Sequence, residues 1–199
     1  FDKLVTDKMN PESIFELDYN STDGNNLASS YFPTDLGGGY RIGPTNGIIN
    51  ILNDPNQGGD RNVLIATFNG NIYGNRYRQA GTGKNDDNYA IIRLAEMYLI
   101  RAEARAHLNN LQGGLDDLNV IRTRANTTVG VAANVNDLLL LIENENRMEF
   151  AFEPHRWFDL IRTNRAATVL GLTDQNKYLF PLPTSEIVAN PNLSQNPGY

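Results

Sequence analysis

The stretch Glu143 to Arg162, ENENRMEFAFEPHRWFDLIR, constrains this chain more than any other. It interleaves carboxylates, arginines and large apolar side chains at helical spacing. Glu145 and Glu149 continue the stripe made by Leu138, Leu141, Ile142 and Phe152, so both carboxylates occupy positions that an amphipathic helix normally turns toward its core. A buried carboxylate without a partner costs on the order of several kcal/mol. The rest of the chain must therefore supply cations to this helix face, or leave the pair open to a substrate.

Both readings can be phrased as geometry. Residues four apart on one helix place their Cβ atoms about 5–6 Å apart, close to the carboxylate separation of about 5–5.5 Å in a retaining glycosidase. Glycosidase carboxylates, however, flank a sugar in an open cleft. These ones share a helix face with Leu141 and Phe152, which favours a buried ion-pair network in which Arg122, Arg147 or Arg156 meets Glu145, Glu149, Glu96 or Glu103.

Taken in order, residues 1–88 read as loop-rich, 89–165 as two helical hairpins and 166–199 as an extended C-terminal tail. SIFELDYN alternates Phe15, Leu17 and Tyr19 against Glu16 and Asp18, a strand pattern with one buried face. NGIINILN reads as a short helix stopped at Asp54-Pro55, and Val63 to Phe68 as a buried strand. From Tyr89, YAIIRLAEMYLIRAEARAHL carries a stripe of Ile91, Leu94, Ala95, Tyr98, Leu99, Ala102 and Ala106. GLDDLNVIRTRA follows after a short Asn/Gly turn, and the two make a hairpin resembling one tetratricopeptide-type unit. A third helix, Asp137 to Glu153, is broken by Pro154, which suits the first turn of a fourth helix, HRWFDLIR, completing a second hairpin; Trp157, beside Phe158 and Leu160 on this short amphipathic helix, reads as core, with a sugar-stacking platform as the alternative. In the tail, Thr184 and Ser185 cap a single helical turn.

Several chemistries are excluded. The chain has 199 residues and no cysteine, so disulfides and thiolate catalysis are absent. His107 and His155 lie far apart and no HExxH spacing exists, so no metal site is expected. There is no GxSxG, Walker A or GxGxxG sequence, and no cofactor is implied. A net charge of -6, with arginines interleaved among acids, argues against nucleic acid. The remaining candidates are Tyr31, Tyr40, Tyr73 and Tyr77, which sit in Gly/Asn-rich loops where a ring has less reason to be buried. Rings flanked by Asn, Asp and Arg suit sugar binding, the ring stacking and the polar groups bonding hydroxyls.

The segments IIRLAEMYLIRAEA, LNVIRTRA, ENRMEFAFEPHRWFDLIR and LFPLPTSEIVANPNLSQNPGY, with SIFELDY and Asp60-Arg61 upstream, resemble the C-terminal part of the SusD/RagB family of Bacteroidetes outer-membrane nutrient-binding lipoproteins. Asn146 and Pro154 stand where that family usually has Arg and Gly. The resemblance implies a mainly α, SusD-like fold of tetratricopeptide-type hairpins with long loops and minor β-structure. It implies a non-enzymatic protein that captures oligosaccharides or other nutrients and delivers them to a SusC-like TonB-dependent outer-membrane transporter. It also implies lipid anchoring at the cell surface through a segment preceding Phe1, with this chain a fragment of a longer protein.

Overall fold

The structure is a computed structural model and describes residues 8–78 and 85–199. Two compact units divide the chain, Phe1–Glu153 and Pro154–Tyr199. In the first unit, β1 (Ser13–Leu17) precedes α1 (Leu27–Tyr31), α2 (Asn46–Asn53), the antiparallel hairpin β2–β3 (Ile65–Phe68 and Asn71–Gly74) and β4 (Tyr89–Arg93). Three longer helices follow: α3 (Leu94–His107), α4 (Leu111–Arg124) and α5 (Val135–Glu149).

These three helices pack on one another around Ala95, Leu99, Ala102, Ala106, Leu118, Ile121, Leu138 and Ile142. Each Leu or Ile fully removed from water there contributes about 1.5–3 kcal/mol. Alanine on α3 and Gly114 on α4 allow the close approach. A Cβ added at Gly114 would stand 2.7 Å from Leu138 Cδ2 and 3.0 Å from the Ala102 carbonyl oxygen. The helix ends follow from asparagines: Asn110 and Asn134 accept from the amides of Gly113 and Asp137 and cap α4 and α5, while Asn109 and Asn126 take the left-handed conformation just beyond α3 and α4, a position that tolerates Asn.

Four expectations change here. The helix expected from Tyr89 begins at Leu94, and Tyr89–Arg93 is a strand paired antiparallel with β1. Ile91 and Ile92 suit a pleated surface, and five residues are too few to separate a period of 2 from one of 3.6. The register of β1 is irregular around Phe15, which breaks the alternation, so Ile14 and Phe15 are exposed, Phe15 at 52%, rather than one face being buried. Val63 to Phe68 is a strand only from Ile65, because a 3-10 turn, Gly59–Leu64, occupies its start. Finally, α5 runs Val135–Glu149 and ends before Phe152, which adopts a left-handed φ of 68°.

The second unit holds α6 (Arg156–Arg162), α7 (Ala166–Leu170), a 3-10 turn at Gln175–Tyr178 and α8 (Thr184–Ala189). Leu160 is buried in it, but Phe158 is exposed and Trp157 is half-buried, its ring 5.8 Å from that of Phe180. The expected second hairpin thus straddles the unit boundary, and α6 packs with α7. Side chains of the closing residues hold the LFPLP segment by its backbone. Gln195 accepts from the Leu182 amide and donates to its carbonyl, at 2.8 and 3.0 Å. Asn196 donates to the Phe180 carbonyl and Tyr199 to that of Leu179.

Candidate functional site: a sealed charge cluster and an open loop

Glu145 and Glu149 are fully buried, at 0% and 1% exposure, and four arginines take up their oxygens. Arg61 reaches both, donating from Nε to Glu149 at 2.8 Å and from Nη2 to Glu145. Arg122 donates from Nη1 to Glu145 at 2.8 Å and from Nε to the Thr128 carbonyl at 2.7 Å. Arg93, at the end of β4, donates to the Glu149 carboxylate and carbonyl, both at 2.8 Å, and grips Glu153 with Nε and Nη2. Arg124 bonds Glu149 and Glu12, and Arg76 pairs with Glu153 at 3.3 Å.

This arrangement sets the protonation of the central acid. Burial alone would raise the pKa of Glu149, but Arg93, Arg61 and Arg124 outweigh it and hold the carboxyl far below its ordinary range. Burial likewise opposes the charge on Arg61 and Arg93, and the facing glutamates outweigh it.

The structure distributes the other sequence-derived candidates as follows. Glu96 and Glu103 are half-buried on α3, Glu103 lying 3.8 Å from His107. Arg147 is half-buried on α5 with Nη2 against the Gly47 region, and Arg156 opens α6 in the second unit. The residues that sequence reasoning did not place in this cluster are Glu12, Arg61, Arg76, Arg93, Arg124 and Glu153. A signal was available: Glu145, Glu149 and Glu153 recur every four residues, and three inward acids require more cations than Arg122 alone supplies.

The tyrosines expected on loops divide, and two of them lie on regular elements, Tyr31 at the end of α1 and Tyr73 on β3. Tyr31, Tyr73 and Tyr77 are 9%, 8% and 3% exposed, which corrects the expectation that they face solvent. They pack in one aromatic cluster with Ala28 and Phe32. Tyr31 meets Phe152 edge to face at 5.5 Å and donates to its carbonyl, and Tyr73 meets Phe32 edge to face at 4.9 Å. Glycine-rich sequence hid this, because the rings fill a core formed by segments distant in the chain. Burial first, and then the charge of Glu153, raises the pKa of Tyr31, Tyr77 and Tyr89. Tyr40 differs: the residue is 38% exposed.

A mainly helical scaffold with little sheet, closed by buried arginine-glutamate pairs and bearing irregular loops, is the class that these observations define. Comparison with known proteins names it. The SusD family model matches residues 53–174 and 163–199, and the chain belongs to that family. Among curated proteins it is 33% identical over 127 residues to SusD-like protein P38 of Formosa agariphila, covering 58% of this chain and 25% of that protein. It is 35% identical over 135 residues to the starch-binding protein SusD of Bacteroides thetaiotaomicron, covering 57% of this chain and 22% of that protein. Among solved structures, a laminarin binding SusD-like protein superposes with a TM-score of 0.78 at 25% identity, covering 100% of this chain and 52% of the other. A SusD superfamily protein from Parabacteroides distasonis, with a TM-score of 0.83 at 20% identity, shares the fold. The chain thus spans about a quarter of the length of these curated relatives and about half that of these solved structures.

Proposed function

We propose that this chain is part of a cell-surface nutrient-binding protein that captures an oligosaccharide and passes it, without catalysis, to a SusC-type TonB-dependent transporter. The observation that carries the reading is the family match over 53–199, joined by likeness along the whole chain to a laminarin binding protein. Lipid anchoring at the outer-membrane surface belongs to the same proposal. The acidic pair does not compete with it, because Glu145 and Glu149 are enclosed by arginines and present no carboxylate to a substrate.

Isothermal calorimetry on the intact protein tests the binding step, with laminarin-derived and starch-derived oligosaccharides as probes. Saturable binding of at least one probe class is the expected result. Failure of a broad glycan panel to bind would overturn the capture role.

A second reading has its own support. Leu94, Met97 and Ile100 are exposed at successive turns of α3, and three of the four candidate tyrosines are buried, as suits a helical-repeat interaction module whose loops bind nothing small. Co-purification with the transporter, together with an empty glycan panel, would favour that module.

A further inference from the structure

The strand β1 is held to the protein by charge more than by packing. Ile14, Phe15 and Leu17 are exposed, and the sheet has two strands, with irregular register on both sides of Phe15. A two-stranded ribbon that buries little apolar surface is marginal in water. Much of the polar bonding around β1 also stays within the same short segment and would travel with it. The Met9 amide and the Ser13 hydroxyl donate to the Glu16 carboxylate at 2.7 and 2.6 Å. The Glu12 amide donates to Asn10 Oδ1 at 3.0 Å, and Lys8 donates to the Tyr19 carbonyl and pairs with Asp18.

Two points fasten this segment to the body. At one end, Arg93 Nη1, at 3.2 Å, and Arg124 donate to Glu12 Oε1, and the Leu94 amide donates to the Glu12 carbonyl at 2.8 Å. At the other, Asn88 donates to Glu16 at 2.7 Å and accepts from the Tyr19 amide at 2.9 Å. Glu12 is better placed to leave the charge cluster than the acids on α5: its side chain is 12% exposed, against 0% for Glu145 and Glu149. Without it, Arg93 keeps Glu149 and Glu153, and Arg124 keeps Glu149, so its departure strands no buried cation. The chain beyond can turn. Residues 20–24 are exposed and Asn25 is buried, its amide donating to the Asn85 carbonyl at 2.6 Å and its side chain to the Asp87 carbonyl at 2.9 Å.

We propose that residues 8–19 form a strap, latched by Glu12, that opens about residues 20–24 while the helices stay folded. Asn25 confines the motion to the chain before α1. Such a local opening lies below global unfolding in free energy. It separates Glu12 from Arg93 and Arg124, and salt screens the attraction across the latch and so favours the open state. The order of this segment thereby depends on ionic strength, whereas α3, α4 and α5 are held by their apolar core.

Hydrogen–deuterium exchange of the intact protein, read by mass spectrometry at low salt and at about 1 M NaCl, where the Debye length is about 3 Å, tests the strap. The β1 amides should exchange at least about tenfold faster than those of α3–α5, and faster again in salt and in Glu12→Gln, with α3–α5 unchanged. The chain has no cysteine, so Phe15→Cys with Ile92→Cys, at partnered positions of β1 and β4, gives one cross-link. Oxidation should slow β1 exchange to that of the helices, and reduction should restore it. Exchange of β1 that matches the helices in the parent, or that rises together with theirs in Glu12→Gln, would overturn the strap. So would fast β1 exchange that persists in the oxidised pair.

Discussion

Replacing Glu149 with alanine tests the account of the charge cluster most directly. The carboxylate accepts from Arg61 Nε, Arg93 Nη1 and Arg124 Nη2, and hydrogen bonds to charged groups contribute about 1.5–3 kcal/mol each. The loss is smaller than three such bonds together, because every guanidinium retains another acid: Arg61 keeps Glu145, Arg93 keeps Glu153 and Glu12, and Arg124 keeps Glu12. Breaking a buried pair on one side costs about 3–5 kcal/mol, a large share of a typical domain stability of about 5–15 kcal/mol. With a urea slope of about 1–3 kcal/mol per molar, the midpoint falls by about 2 M. Urea titration of the intact protein followed by far-UV circular dichroism reads this shift. Glu103→Ala, at the partly buried site whose carboxylate lies 3.8 Å from His107, should cost far less, about 0.5 kcal/mol for an i,i+4 pair. Equal shifts for the two variants would refute the assignment of Glu149 as the central acid. The pH dependence adds a second check. Glu149 is depressed from an ordinary value of 4.5, so its contribution is fully present above that value and is lost as pH falls below it toward the depressed folded value. The parent should therefore weaken progressively below about pH 4.5, and Glu149→Gln should flatten that part of the curve.

Three other predictions follow from local geometry. Tyr31, Tyr77 and Tyr89 have raised pKa values through burial, so their contribution is present below an unfolded value of about 10 and is lost as pH rises above it; ultraviolet titration should show these rings ionising above the ordinary tyrosine range. Gly59 has φ 55° and no room for a Cβ, which would lie 2.2 Å from the Ala125 carbonyl oxygen, whereas Gly70, at φ 80°, has nothing within 4 Å. Gly59→Ala should cost more than about 2 kcal/mol in denaturant titration, and Gly70→Ala about 1 kcal/mol, the conformational strain alone. Gly114→Ala gains helix propensity of up to about 1 kcal/mol but meets Leu138 and the Ala102 backbone, so its melting temperature should fall, not rise, by an amount matching about 1–3 kcal/mol of overpacking.

The helices were legible because their signals are local. The α2 boundaries, the α3–α4 hairpin and the inward placement of Glu145 and Glu149 all follow from periodicity and capping within a dozen residues. The partners of those acids were not legible, since Arg61 and Arg93 come from segments 88 and 56 residues away from Glu149, and helical periodicity read through Tyr89 placed Arg93 on the wrong kind of element. The tyrosines failed for a related reason. Tyr31, Tyr73 and Tyr77 belong to Gly/Asn-rich sequence, yet their rings converge with Phe152 from beyond α5. Only Tyr40, whose exposure depends on a left-handed backbone and one hydroxyl bond, kept the position that composition suggested.

The separation of charge from surface bears on function as well as stability. A general acid works best with a pKa near the operating pH, and Glu149 is held far from it by three guanidinium groups. Neither carboxylate of the pair can protonate a leaving group that cannot reach it. What the cluster does supply is rigidity, by locking α4, α5, β4 and the turn before β2 into one body through Arg122, Arg124, Glu145, Glu149, Arg93 and Arg61. Immobilising a side chain on binding costs about 0.5–1.5 kcal/mol, and ordering a loop adds to that. The β2–β3 hairpin follows directly from the turn that carries Arg61, and the loop after α1 is tied to that hairpin through Tyr40 to Ile72 and Asn69 to Asp35, so the loop is ordered on the same frame. For the glycan capture proposed above, a substitution that loosens the cluster without unfolding the protein, such as Arg122→Lys, should weaken binding through the scaffold. A parent-like affinity in a variant with a measurably lowered melting temperature would show that scaffold and loop are uncoupled.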